Sequence, residues 1–257
     1  MTLTQVSTYK VILSYKGTNY FGWQSQSKHE ETIQNHVEKV VAKLARYQEY
    51  KVVGASRTDA GVHAGGQVLK ITLPREIEPS VLTRGMNSKL PQDIKVVSSE
   101  FIHSDFNPNR DSKSKEYHYY FTENQHENAR YSDSLYSFPS DLNFEHMNKA
   151  CKILVGEHNF KSFCTPGPNP GTMSRSILSC SIEKTHFFSD GADIYYLSIQ
   201  GTGFLRYMVR YLMGAIWDIG AGQLSLEDFR SSLLSGNKNG IRTKAPSRGL
   251  HLINIDY

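Results

Sequence analysis

Residues 50–73 read YKVVGASRTDAGVHAGGQVLKITL. Both ends carry β-branched and apolar residues, so 50–54 and 67–73 read as strands. Between them runs a polar stretch, Ser56-Arg57-Thr58-Asp59, followed by Gly61, His63, Gly65 and Gly66. Such glycines let a backbone take positive φ or lie close to another group. Two readings of Asp59 are open at this point. It closes a tight turn by bonding its own backbone, or it is a reactive carboxylate presented on a loop by a rigid scaffold.

Working outward, Tyr9–Tyr15 (YKVILSY) is a strand. Thr32 is a helix N-cap, and Ile33, Val37, Val40, Val41 and Leu44 repeat at helical spacing to about Tyr47. A short helix runs from Pro79 to about Lys89, and Asp93–Ile102 is a strand. Residues 1–104 thus follow strand, helix, strand, strand, helix, strand, the ferredoxin-like order of an α+β fold with helices on one face of an antiparallel sheet. The polar, Asn- and Pro-containing stretch 105–114 reads as a linker.

The order recurs in 115–257. Lys115–Phe121 is a strand, and Phe144, Met147, Cys151, Leu154 and Val155 mark a helix. Strands follow near 176–187 and 193–200. The longest apolar stripe, Phe204 to Ile219, predicts a core helix from residue 204. Ser225 and Asp228 form a box-like cap for another helix, and 249–257 is a closing strand.

Composition limits the function. Hydrophobic residues at 39% and charged residues at 21% describe a globular chain rather than a disordered one. A net charge of +4 is compatible with a nucleic-acid partner without requiring one. Three cysteines with no CxxC give no disulfide framework and no zinc knuckle. No signal peptide is read at Met1–Gln5, and the 204–219 stretch carries Arg206, Arg210 and Asp218 and is too short for a bilayer. The expected setting is therefore cytoplasmic, with no membrane partner.

Several chemistries fail on spacing. Gly54-Ala55-Ser56-Arg57-Thr58 lacks the last glycine of a serine-hydrolase elbow. Gly201-Thr202-Gly203-Phe204-Leu205-Arg206 fails the dinucleotide fingerprint, and no Walker loop occurs. Histidines such as His63 and His118 have no metal-ligand spacing. Other features are more suggestive. Arg110, Lys113 and Lys115 lead into Tyr117-His118-Tyr119-Tyr120-Phe121, where alternation puts Tyr117 and Tyr119 on one face. Cations feeding a row of aromatics suit phosphates and unpaired bases, although a core strand with solvated lysines has the same pattern. Arg206 and Arg210 are an i, i+4 pair, and Arg242, Lys244 and Arg248 cluster in the tail.

GASRTDAGVHAGGQV resembles the signature of the TruA family of tRNA pseudouridine synthases. Further blocks agree in order and spacing. Tyr15-Lys16-Gly17-Thr18 with Phe21-Gly22-Trp23-Gln24 and Thr32-Ile33-Gln34 resembles the N-terminal block. Met86-Asn87 with Leu90-Pro91-Gln92-Asp93-Ile94 resembles LN…LPxDI, and Lys115-Glu116-Tyr117-His118-Tyr119 resembles RxYxY. Gly156-Glu157-His158-Asn159-Phe160 resembles GEHDF, Met208-Val209-Arg210 the MVR of FLxxMVR, and Ala245-Pro246 with Gly249-Leu250 the closing APxxGL. Ser56 stands where most members have glycine.

The resemblance implies a pseudouridine synthase fold, two ferredoxin-like halves around a central basic cleft. It implies Asp59 as nucleophile, Tyr117 stacking on the target uracil, Arg210 pairing with the aspartate and Arg57 acting in base flipping. Thr58, His63, Gln67, Lys115, Arg206 and Arg248 join Arg57 as expected RNA contacts. The implied substrate is uridine in tRNA, at positions 38 to 40 of the anticodon stem-loop, bound by a homodimer that needs no cofactor and no metal. Two other classes stand beside it: a non-catalytic RNA-binding protein on the same fold, and a carboxylate-dependent nucleoside hydrolase. The hydrolase needs a second positioned carboxylate, and neither Glu31 nor Asp93 sits in a motif for that role.

Overall fold

Alternation dictates the first strand. In β1 (Ser7–Tyr15) the side chains of Tyr9, Val11, Leu13 and Tyr15 are buried while Lys10, Ile12 and Ser14 between them are half-buried, the period of a strand packed on one face. The computed structural model describes residues 6–125, 131–138, 141–167, 171–185, 193–237, 240–241 and 243–257. Arg242 of the basic tail lies outside them. Residues 1–113 with 252–257 form one compact unit and residues 114–251 another.

In the first unit β1 is followed by α1 (Ile33–Leu44), β2 (Lys51–Gly54), β3 (His63–Leu73), α2 (Pro79–Asn87) and β4 (Ile94–Phe101). Thr32 caps α1 as its sequence predicts, its Oγ1 accepting the Asn35 N–H at 3.3 Å. The helix buries Ile33, Val37, Val40 and Val41, and α2 buries Leu82 and Met86. The strands run in the order β4-β1-β3, with β2 also on β3, and every one of these pairings is antiparallel. β3 starts at His63, four residues before its apolar run, so the glycine pair Gly65-Gly66 lies inside the strand. Gly66 needs to be glycine because a Cβ there would sit 2.4 Å from the carbonyl oxygen of Ile253. Ile253 belongs to the closing strand β10 (Leu250–Asp256), so the last residues of that strand complete the first unit.

The second unit begins with β5 (Ser114–Thr122) and the two-residue β6 (Tyr136–Ser137). Next come α3 (Phe144–Leu154), β7 (Gly156–Asn159), β8 (Ser174–Thr185) and β9 (Ile194–Gly201). α4 (Met208–Gly220) and α5 (Leu226–Ser235) then lead to the first two residues of β10. β5, β9, β8 and β7 form an antiparallel ladder in that order, and β6 pairs parallel to β5. The core gathers round Trp217 of α4, whose ring lies 5.1–6.0 Å from those of Tyr119, Phe121, Tyr136 and Phe138. At α5 the Ser225 hydroxyl accepts the Asp228 N–H at 3.0 Å and donates to its carboxylate at 2.6 Å, closing the cap expected there. α4 starts four residues later than its apolar stripe suggests. Tyr207, directly before it, has φ +62°, a left-handed conformation that no α-helix continues through. The architecture is the mixed α+β, mostly antiparallel one that the sequence predicts.

Candidate active site

The Ser56–Val62 loop is built by alternation carried past the end of β2. Ser56 and Thr58 are buried, whereas Arg57 is exposed and Asp59 half-exposed. Three fastenings hold the inward residues. The Gln67 amide, fully buried on β3, accepts the Ser56 N–H at 3.1 Å and donates to the Ser56 carbonyl at 2.6 Å. The Tyr15 hydroxyl shares a 2.8 Å hydrogen bond with Thr58 Oγ1. The Thr58 carbonyl also accepts the Trp23 N–H at 3.1 Å. The Gln67 clamp thus ties both backbone groups of Ser56 to the strand opposite.

The loop then turns. Val62 N–H donates to the Asp59 carbonyl at 3.1 Å, Gly61 N–H to the Tyr20 carbonyl at 3.2 Å, and Gly61 takes φ +78°. The Asp59 backbone carbonyl thus closes the turn, and the residue is half-exposed. Beneath the turn, Gly22 has φ +88°, and a Cβ there would lie 2.5 Å from the Thr58 carbonyl oxygen and 3.0 Å from the Asp59 carbonyl carbon. Gly17 N–H donates to His63 Nδ1 at 3.2 Å. Tyr20 OH donates to Asp93 Oδ1 at 2.5 Å, and burial, helped by that carboxylate, raises the Tyr20 phenol above its ordinary range. Asp93 is thus tied to a phenol in this unit. Of the residues expected to contact RNA, Arg57 is outward, whereas Thr58, His63 and Gln67 are buried and hydrogen-bonded within the unit.

The second unit holds the remaining candidates. Tyr117 is buried on β5, edge-on to Phe204 with ring centroids 5.1 Å apart. Tyr119 shares its face, as expected, and donates to the Pro246 carbonyl at 2.7 Å. Arg210, in the first turn of α4, is fixed by a reciprocal pair with Ala245. Its Nε donates to the Ala245 carbonyl at 2.7 Å, and its own carbonyl accepts the Ala245 N–H at 3.0 Å. Three cations surround the ring of Tyr207: Lys244 at 4.4 Å, Arg206 at 4.8 Å and Arg210 at 5.4 Å from its centroid. Each gains cation–π attraction from that ring, and together they concentrate positive charge at the start of α4. Arg248 lies 5.1 Å over the Tyr136 ring. Among the described residues, no three His, Cys, Asp or Glu side chains gather as a metal ion would require.

Lys115, at the start of β5, is nearly buried, and desolvation pulls its ammonium down to about 8. Between about pH 8 and lysine's ordinary 10.5 the unfolded chain holds a proton that the folded chain has released, so stability rises with pH across that window. Lys115→Met is expected to remove that rise, and urea midpoints of both proteins at pH 7 and pH 10 check it.

A family model described as tRNA pseudouridine synthase matches residues 11–104 and 150–257. Asp59 and Arg210 fall inside those spans and Tyr117 outside them. A protein named tRNA pseudouridine synthase A 2 from Desulfotalea psychrophila is 39% identical over 257 residues, covering 96% of this chain and 98% of its own. Proteins named tRNA pseudouridine synthase A from Methylacidiphilum infernorum and Clostridium botulinum are each 34% identical, over 97% and 96% of this chain and 95% and 98% of theirs.

Proposed function

Because the chain belongs to the tRNA pseudouridine synthase family, we infer that it is an isomerase that converts uridine in tRNA to pseudouridine, with Asp59 as its nucleophile. The bond from C1′ of the ribose to N1 of the uracil breaks, the base turns, and a bond from C1′ to C5 forms. C5 gives up its proton and N1 gains one, so the reaction is redox-neutral. The observation that carries the assignment of Asp59 is its loop: a clamped backbone that presents a carboxylate beside an exposed arginine. A carboxylate fixed in this way loses little freedom on attack, which is how positioning lowers a barrier.

Arg57 is the group proposed to act as the target base leaves its stack, a step that costs a few kcal/mol. Tyr117 is proposed as the aromatic partner of that base. Arg210 is proposed to keep the carboxylate ionised, since a nearby guanidinium favours the charged form. The cations around Tyr207 suit phosphate oxygens, and Arg206 is assigned to RNA binding on that ground; Arg248, over the Tyr136 ring, is proposed as a further cation for the same role. The anticodon stem-loop as substrate, a homodimer and a cytoplasmic setting complete the reading. It agrees with the finding that no helix among the described residues is long and apolar enough to cross a membrane.

Arg210→Lys tests the guanidinium. Lysine cannot make the Nε–Ala245 bond and presents a point charge in place of a fork. Turnover on tRNA is expected to fall about a hundredfold with Tm little changed. Normal turnover would make Arg210 a packing residue only. The reading as a whole is checked by incubating unmodified tRNA with the protein and mapping pseudouridines; tRNA returned unmodified would leave an RNA-binding protein without catalysis.

A further inference from the structure

Phe21 is out of keeping with its neighbours. Tyr9, Tyr15, Tyr20 and Trp23 of the first unit are buried, yet Phe21 is 45% exposed. It is not loose. Its ring stacks on the imidazole of His29, with centroids 3.9 Å apart and planes 11° from parallel. The loop between them is fastened at several points. Gln26 Nε2 donates to the Phe21 carbonyl at 2.9 Å, and His29 N–H to the Gln26 carbonyl at 3.3 Å. Gln34 Oε1 accepts from Ser25 N–H at 3.0 Å and from Gln24 Nε2 at 2.7 Å. Phe21 N–H donates to the Glu31 carbonyl at 2.8 Å.

Phe21 is held by a parallel stack while nearly half of it remains exposed, so a fixed aromatic surface is left open to a second flat group. The place of that surface is informative. The next residue, Gly22, packs against the Thr58–Asp59 backbone, and Trp23 N–H bonds the Thr58 carbonyl. The Phe21 platform and the Asp59 loop are thus fastened to each other within the first unit. The loop that joins Phe21 to His29 carries Gln24, Ser25, Gln26 and Lys28, all exposed, which adds polar and cationic groups to the segment that holds the ring. A flat, polar-edged, anionic-backboned ligand meets that description, and an unpaired nucleotide is one. Resting on the tRNA reading above, we propose that the Phe21–His29 stack is a platform for an unpaired base flanking the target uridine. It would hold the RNA strand while the target is extruded. Phe21 is in this role a positioning residue.

The test uses anticodon-arm hairpins carrying the fluorescent base 2-aminopurine at one unpaired position at a time. The expected result is strong quenching at one position with the wild-type protein. Phe21→Ala and Phe21→Leu lose it and Phe21→Trp keeps it. For unmodified tRNA, KM rises about tenfold in the Ala and Leu variants, kcat stays within about twofold, and thermal melts confirm that each variant is folded. Quenching independent of residue 21 at every position overturns the proposal. So does a Leu variant as good as wild type, which would make Phe21 an apolar cover for His29. The quench reads RNA contact without catalysis. A wild-type protein that quenches without making pseudouridine therefore sinks the functional reading and leaves the platform standing. One that makes pseudouridine with KM and quenching both unchanged whatever stands at residue 21 sinks the platform alone.

Discussion

Asp59→Asn is expected to abolish pseudouridine formation, lowering turnover by about 10⁴-fold or more, as loss of a nucleophile does. The substitution keeps the size and most of the hydrogen-bonding capacity of the side chain and removes only its nucleophilic charge. The Asp59 carbonyl still accepts from Val62, and the clamps on Ser56 and Thr58 involve neither carboxylate oxygen. The variant should stay folded, and tRNA should bind nearly as before. The measurement is release of tritium from tRNA carrying 5-tritiated uridine, read beside tRNA affinity and a urea midpoint. Near-normal release would remove Asp59 from the mechanism. Lost release together with a lowered midpoint would show that the side chain holds the loop instead of reacting.

Gln67→Leu should have the largest effect on stability among the loop residues. Leucine fills a similar volume but can neither accept the Ser56 N–H nor donate to the Ser56 carbonyl, and both groups lie on a buried residue. Each orphaned group costs about 1–3 kcal/mol, so a loss of about 2–6 kcal/mol is expected. Activity should fall further than stability alone explains, because a shift of about 1 Å in a reacting group costs on the order of a hundredfold. Urea denaturation gives the first figure. Turnover at a temperature where the variant is fully folded gives the second. An unchanged midpoint would show that the clamp contributes nothing.

How far the sequence could reach is clearest from this pair. Asp59 stands out as a candidate because a carboxylate inside a glycine-flanked polar run, set among family-like blocks, is a local pattern. Gln67 was legible as a notable residue, but sequence alone grouped it with Arg57 as an RNA contact. Nothing local says that its amide turns inward, since that depends on Ser56 lying opposite it across the turn. The same limit explains α4. Its apolar stripe runs back to Phe204, and periodicity cannot register that Tyr207 takes φ +62° and delays the helix to Met208. Polar β7, Gly156–Asn159, has no alternation to find and is a strand only because Ser174–Ile177 lies beside it. By contrast, Thr32 and Ser225 cap as expected, because a cap is settled within four residues. Phe21 stands in the sequence only as part of the N-terminal block, and exposure is a property of the folded unit.

Gly66 and Ile253 meet at a distance that leaves no room for a side chain, and this has a bearing on how the protein is made. The first unit needs residues 252–257, which leave the ribosome after all of the second unit. At about 5–20 residues per second, roughly ten seconds to half a minute separates the two. During that time β3 has an unfilled flank, an edge open to pairing with another strand. The nascent first half is thus the stage most exposed to aggregation and to chaperone capture, and the loop bearing Asp59 leads directly into that waiting strand.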